Sequence, residues 1–209
     1  IHIPWCERKC PYCDFNSHEL RGELPVEDYV DALLRDLEKE LPLAWGRPVQ
    51  SVFLGGGTPS LFPAAEVARM IDGFRARLDL APGAEITLEA NPGTVEHDAF
   101  AAYREAGVNR VSLGVQSFDD RCLQAIGRIH GGAEAVGAVE SLQASGIRRF
   151  NLDLMYGLPG QSRADAVADV ETALGLGASH VSHYQLTLEP NTLFHARPPP
   201  LPGEEACWA

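Results

Sequence analysis

Six short strand-like runs alternating with helical periodicity predict an α/β fold with a parallel sheet. Two more observations narrow this to a partial TIM-like barrel of six βα units, a (βα)6 arrangement. The chain has 209 residues, whereas a complete eight-unit barrel takes about 250. Polar residues also recur at the C-terminal ends of successive strands, the face on which βα folds build their sites. Alternation alone is equally compatible with an open doubly wound sheet.

Ile1 to Trp5 alternates and then meets Pro4, as the last residues of a strand entering a loop do. Glu27 to Leu41 spaces Tyr29, Val30, Leu33, Leu34, Leu37 and Leu41 at helical intervals, so a helix is expected to end near Pro42. Val49 to Leu54 reads as a strand running into Gly55-Gly-Gly57-Thr58-Pro59, and Pro63 opens a helix from Ala64 to Leu78. Strand Glu85 to Ala90, helix Glu96 to Ala106 and strand Arg110 to Val115 follow, then helices over Asp119 to Ala125 and Ala133 to Ala144. Next come strand Phe150 to Met155, helix Arg163 to Leu176 and strand His180 to Leu188, with Ser162 and Asp165 forming a capping box. The expected organisation is a core of residues 1–195 and a linker of 196–209, read from Pro198-Pro-Pro-Leu-Pro202. The absence of an initial Met and the ending at Cys207-Trp-Ala read as a fragment whose C-terminal domain is missing.

Hydrophobic residues make up 45% of the chain, enough for a real core. A formal charge of −12 argues against nucleic-acid or anionic-membrane binding as the main activity, and leaves at most peripheral membrane contact. No apolar run approaches the roughly 18 residues of a membrane span, and nothing reads as a signal peptide. Five cysteines, three of them grouped like metal ligands, fit a reducing cytoplasm.

The grouped thiols are Cys6-Glu-Arg-Lys-Cys10-Pro-Tyr-Cys13. Thiolates select zinc, copper(I) or iron–sulfur clusters. A structural zinc site closes with four ligands, but Cys122 and Cys207 are distant singles, so three thiols suggest a cubane with one iron left free. A zinc knuckle completed by His2 or His18, or a redox pair at Cys10 and Cys13, would use the same residues. The three glycines before Thr58 serve either a flexible turn or a close backbone approach to a ligand. Asp153 lies between Leu152 and Leu154 on a buried strand, where an unpaired carboxylate costs several kcal/mol. Arg128 reads as a surface charge, His130, His180 and His183 as core or surface histidines, and Cys122 as a packed helical thiol.

His2-Ile-Pro-Trp-Cys6-x3-Cys10-Pro-Tyr-Cys13-Asp-Phe-Asn-Ser17 resembles the cluster loop of radical S-adenosylmethionine (SAM) proteins. Within them the chain is most similar to the oxygen-independent coproporphyrinogen oxidase family and its heme-chaperone branch. The likeness continues through Asn91-Pro, Gly114-Val-Gln-Ser-Phe118, Asp153-Leu-Met-Tyr-Gly-Leu-Pro159 and Tyr184-Gln-Leu-Thr-Leu-Glu-Pro190. It implies a partial barrel holding a [4Fe–4S] cluster on Cys6, Cys10 and Cys13. The fourth iron would be chelated by SAM, whose cleavage releases a 5′-deoxyadenosyl radical. It further implies that Gly56, Gly57 and Thr58 contact the methionyl end of SAM, Glu89 its amino group and Arg128 its carboxylate. Gln116 and Asp153 would then bind the ribose, with Tyr12 and the Thr187 backbone against the adenine. True oxidases of the family carry a fourth cysteine two residues after the third; here that position is Phe15. The resemblance thus implies a heme carrier delivering to respiratory proteins, with an electron donor for the cluster, and the oxidase as the alternative. The family tyrosine preceding Ile1 and the C-terminal region contributing to heme or porphyrin binding are absent from this sequence.

Overall fold

The computed structural model describes residues 1–94 and 99–208. In chain order the elements are β1 (His2–Ile3), β2 (Trp5–Cys6), β3 (His18–Glu19), α1 (Val26–Ala44), β4 (Val49–Gly56), α2 (Ala64–Arg77), β5 (Leu80–Ala90), α3 (Ala99–Glu105), β6 (Arg110–Gln116), α4 (Asp120–Ala125), α5 (Gly132–Ala144), β7 (Arg149–Tyr156), α6 (Arg163–Gly175), β8 (His180–Gln185), α7 (Leu193–Ala196) and α8 (Glu204–Trp208). Single turns of 3-10 helix follow β4 and β5.

Six strands form one sheet in the order β1-β4-β5-β6-β7-β8, and every neighbouring pair is parallel. Spatial order equals chain order, so each crossover advances in the same direction, as in a barrel rather than a doubly wound sheet that reverses at its middle. The expected α/β partial barrel of six strands is what the chain forms.

Period-two alternation sorts the strand residues onto two faces. Val111, Leu113, Phe150, Leu152 and Leu154 are buried in the main core with Val139, Leu142 and Ala173 of the helices. The intervening Ser112, Asn151, Asp153 and Ser182 form a hydrogen-bonded polar ladder across β6, β7 and β8. A smaller core joins Cys122 and Ile126 to Met155, Leu158, Leu186 and Phe194, with Tyr12 and Leu201 packed against it.

Most boundaries fall within a few residues of expectation. Helix α1 runs through Pro42 to Ala44 instead of stopping there. A proline in a last turn forfeits one backbone bond, a smaller loss than one in mid-helix. Strand β5 begins five residues early, and β8 leaves the sheet at Gln185 rather than Leu188. Of the helix expected over Glu96 to Ala106, residues 96–98 lie outside the described residues, and α3 covers Ala99–Glu105. The Ser162–Asp165 capping box forms as expected, with both reciprocal bonds present. Cys122 is buried on α4. After the proline run comes the short helix α8.

Candidate functional site

A cavity of about 350 Å³ opens at the C-terminal ends of the strands. Cys6, Cys10, Cys13, Tyr12, Gly56, Gly57, Thr58, Glu89, Gln116, Arg128, Asp153 and Thr187 all line it, so the residues singled out in the sequence converge on one space.

The cysteine loop is held at its neck by β2 and β3, which pair in parallel through Trp5 with His18 and Cys6 with Glu19. Parallel neighbours need a crossover of about a dozen residues, and the loop of residues 7–17 is that crossover. Lys9 Nζ closes it from within, donating to Phe15 O (3.0 Å) and Ser17 O (2.9 Å). His2 Nε2 lies 2.8 Å from Asn16 O and His18 Nε2 3.2 Å from Asn16 Oδ1. Neither imidazole lines the cavity, so the two histidines proposed for a zinc knuckle are engaged elsewhere. Among the described residues no group of three His, Cys, Asp or Glu side chains stands ready for a single metal ion. On the far side Phe194 N donates to Pro11 O (3.0 Å) and its ring packs on Tyr12 at 6.4 Å between centroids. Segment 186–196 therefore clasps the loop.

The glycine run is fixed by protein contacts. A Cβ on Gly57 would overlap the backbone of Pro4 and Trp5, one on Gly56 the His2 ring, and one on Gly55 would lie 2.8 Å from Glu89 Oε2. Gly56 also has φ +115°, open to glycine alone. Gly57 N and Thr58 N donate to Ile3 O and Trp5 O, both at 2.7 Å. Burial pushes the Cys6 thiol up, and the neighbouring Thr58 and Ser17 hydroxyls act against it. Glycine here brings β4 against the strand that carries the first cysteine.

Two carboxylates sit on the inner wall. Glu89 Oε2 accepts Gly56 N–H at 3.0 Å; burial, reinforced by the Asp153 charge, pushes its carboxyl upward. Asp153 Oδ1 accepts from Asn151 Nδ2 (2.7 Å) and Oδ2 from Ser112 Oγ (2.9 Å). The ladder supplies the hydrogen bonds that a buried acid requires, although burial still raises its pKa. Beside them β6 carries a bulge, its register to β7 slipping between Leu113 and Gln116. Gln116, 5% exposed, ends it with φ +71°, and Tyr184 Oη donates to its Oε1 at 2.6 Å.

Arg128 and His130 bind the bulge carbonyls. Arg128 Nη2 donates to Gly114 O (2.6 Å) and Nη1 to Cys10 Sγ (3.4 Å), while its Nε is buried with no partner among the described residues. His130 Nε2 lies 3.0 Å from Val115 O. A carbonyl only accepts, so the neutral ring carries its proton on Nε2 and leaves Nδ1 facing the Asn91 side-chain amide at 3.1 Å. Burial, then the Arg128 cation, push the imidazole down to about 4, against about 6.5 in an unfolded chain. Between these values only the unfolded state binds the proton, so stability is lost as pH falls from about 6.5 to about 4, by up to roughly 3 kcal/mol. Urea midpoints of wild type and His130→Gln are expected to converge over this window; parallel curves would refute the assignment.

The model of the radical SAM superfamily matches residues 1–173. The chain belongs to the radical SAM superfamily. It is 57% identical over its whole length to the heme chaperone HemW of Escherichia coli K12, and 50% identical to that of Haemophilus influenzae. It is 36% identical, over 93% of its length, to HemW of Bacillus subtilis. It spans about half of these relatives, 55%, 55% and 52% of their lengths. Among solved structures, coproporphyrinogen III oxidase HemN of E. coli, described as a radical SAM enzyme, superposes with a TM-score of 0.87 at 28% identity. That match covers 98% of this chain and 48% of the other.

Superfamily membership implies a [4Fe–4S] cluster and SAM, and the cavity suits both. Three free thiols line it, and an orphaned buried guanidinium N–H suits an anionic group. Sequence reasoning passed over Tyr184 and Met155, which also line the cavity. Their signal was parity: each lies two residues from a recognised or ladder position on its strand.

Proposed function

We propose that this chain is the radical SAM core of a heme chaperone that binds heme and hands it to acceptor proteins in the cytoplasm. The observation that carries this reading is identity of 43–57% over 98–100% of the chain to four relatives named heme chaperone HemW. Phe15, standing where the oxidases resembling this family carry a fourth cysteine, points the same way.

In this reading Cys6, Cys10 and Cys13 hold the cluster, which supplies one-electron reduction of a bound sulfonium. Arg128 presents its free Nε–H to the SAM carboxylate, a pairing suited to a planar guanidinium. Glu89 receives the amino group beside Gly56, Gly57 and Thr58. Gln116 and Asp153 bind the ribose hydroxyls with side chains already oriented by Tyr184, Ser112 and Asn151. Tyr12 and Thr187 flank the adenine. An electron donor would reduce the cluster, and respiratory proteins would receive the heme.

The high TM-score to HemN favours a second reading, oxidative decarboxylation of coproporphyrinogen. One preparation separates the two: the complete protein, anaerobically reconstituted with iron and sulfide. Given hemin and desalted, it is expected to retain heme. Given SAM, reductant and coproporphyrinogen, it is expected to return the substrate at unchanged mass. Loss of two carboxyl groups per porphyrinogen would establish the oxidase instead, and failure to retain heme would remove the chaperone.

A further inference from the structure

Helix α6 turns an acid into the protein beside the apolar Ala173. Val167 and Leu174 are 48% and 61% exposed, while Asp169 is 3% exposed. Its carboxylate forms no ion pair among the described residues. A buried carboxylate without a cation is retained only where its hydrogen bonds are good, and here they converge on one place. Asp169 Oδ2 accepts from Ser117 Oγ (2.8 Å) and Gln161 Nε2 (3.2 Å), and Oδ1 accepts Phe118 N–H (2.7 Å). Ser117 is fully buried and also accepts from Asp119 N through its hydroxyl at 3.0 Å. These anchors begin one residue after Gln116.

Gln116 needs such an anchor. A left-handed backbone costs a non-glycine residue on the order of 1 kcal/mol and persists only where its surroundings impose it. On the N-terminal side, Arg128 and His130 hold the Gly114 and Val115 carbonyls. On the C-terminal side, the bonds to side chains of another element are those of Asp169. The bulge re-aims a strand-end side chain, and without a fixed exit Gln116 could relax to an extended backbone and swing its amide off the cavity wall.

We propose that Asp169 is a positioning residue for nucleoside recognition: through Ser117 and the Phe118 amide it holds Gln116 in the conformation that presents its amide to the ribose of SAM. This rests on the assignment of Gln116 to the ribose. Asp169 does not line the cavity, so its effect on ligand runs through Gln116.

The test is a double-mutant cycle on the complete, reconstituted protein, read as SAM affinity by equilibrium dialysis, with the urea midpoint followed separately. Gln116→Ala is expected to weaken SAM binding about fivefold to tenfold, the scale of one or two hydrogen bonds. Asp169→Asn, which turns an acceptor into a donor facing Ser117 and Gln161, is expected to weaken it comparably. In the Gln116→Ala background the same change is expected to add less than about twofold, because the side chain it positions is gone. Equal losses in both backgrounds, or no loss in either, would reduce Asp169 to a structural acid whatever happens to stability. Wild-type affinity in Gln116→Ala would instead strike the ribose assignment, and the proposal with it. Should Asp169→Asn not fold, Ser117→Ala takes its place in the cycle, since it removes one of three bonds and leaves the acid satisfied by Phe118 and Gln161.

Discussion

Replacing Cys6, Cys10 or Cys13 singly with alanine is expected to abolish cluster retention. After anaerobic reconstitution and desalting, iron and sulfide should fall from about four each per chain to near zero. The three thiols line one cavity, on a loop whose neck is fixed by β2 and β3. No other cysteine can substitute: Cys122 is buried on α4 and Cys207 lies on α8, neither at the cavity. Cys122 supplies the control. Burial pushes its thiol up to about 11, so it behaves as a small hydrophobe. Cys122→Ala is expected to keep full iron and the brown absorbance, at a stability cost of about 1 kcal/mol for the lost packing. A Cys10→Ala protein that kept its iron would refute the assignment, and stoichiometric zinc in the wild type would replace the cluster with the knuckle.

The sequence made the barrel legible because five of its six strands are long enough to show periodicity and because several end in a residue type that is unusual there. Gly56 to Thr58, Glu89, Gln116 and Asp153 are polar or glycine where an apolar strand should continue, and all of them reach the cavity. Three features were hidden. The β2–β3 ladder has two residues per strand, too few for any period to register. Ser112, Asn151 and Ser182 carry no motif of their own, and only their register and hydrogen bonds show that they offset the cost of burying Asp153. Asp169 was lost inside a helix whose capping box located it correctly while its exposed Val167 and Leu174 disguised which side faces in. Local chemistry marks an element, whereas which residues meet across elements depends on register and helix rotation.

The glycine run illustrates how a ligand motif can be a packing motif first. Gly57→Ala is expected to destabilise the protein by about 2–3 kcal/mol, the scale of an overpacked interior, and to lower iron content as well. The added Cβ would stand 2.8 Å from Trp5 C and 2.9 Å from Pro4 C. Both are backbone atoms, so no side chain can rotate out of the way, and the segment itself must shift. That segment is pinned to β4 by the Gly57 and Thr58 amides and leads directly into Cys6, so displacing it moves the first cluster ligand. Gly137 gives the contrast. It lies within α5 with nothing within 4 Å of its would-be Cβ, and Gly137→Ala is expected to raise stability by about 1 kcal/mol through helix propensity while leaving the iron untouched. Urea midpoints and iron content on the two variants measure both effects. A Gly57→Ala protein of normal stability that nonetheless lost SAM affinity would show that this glycine serves the ligand rather than the strand beside it.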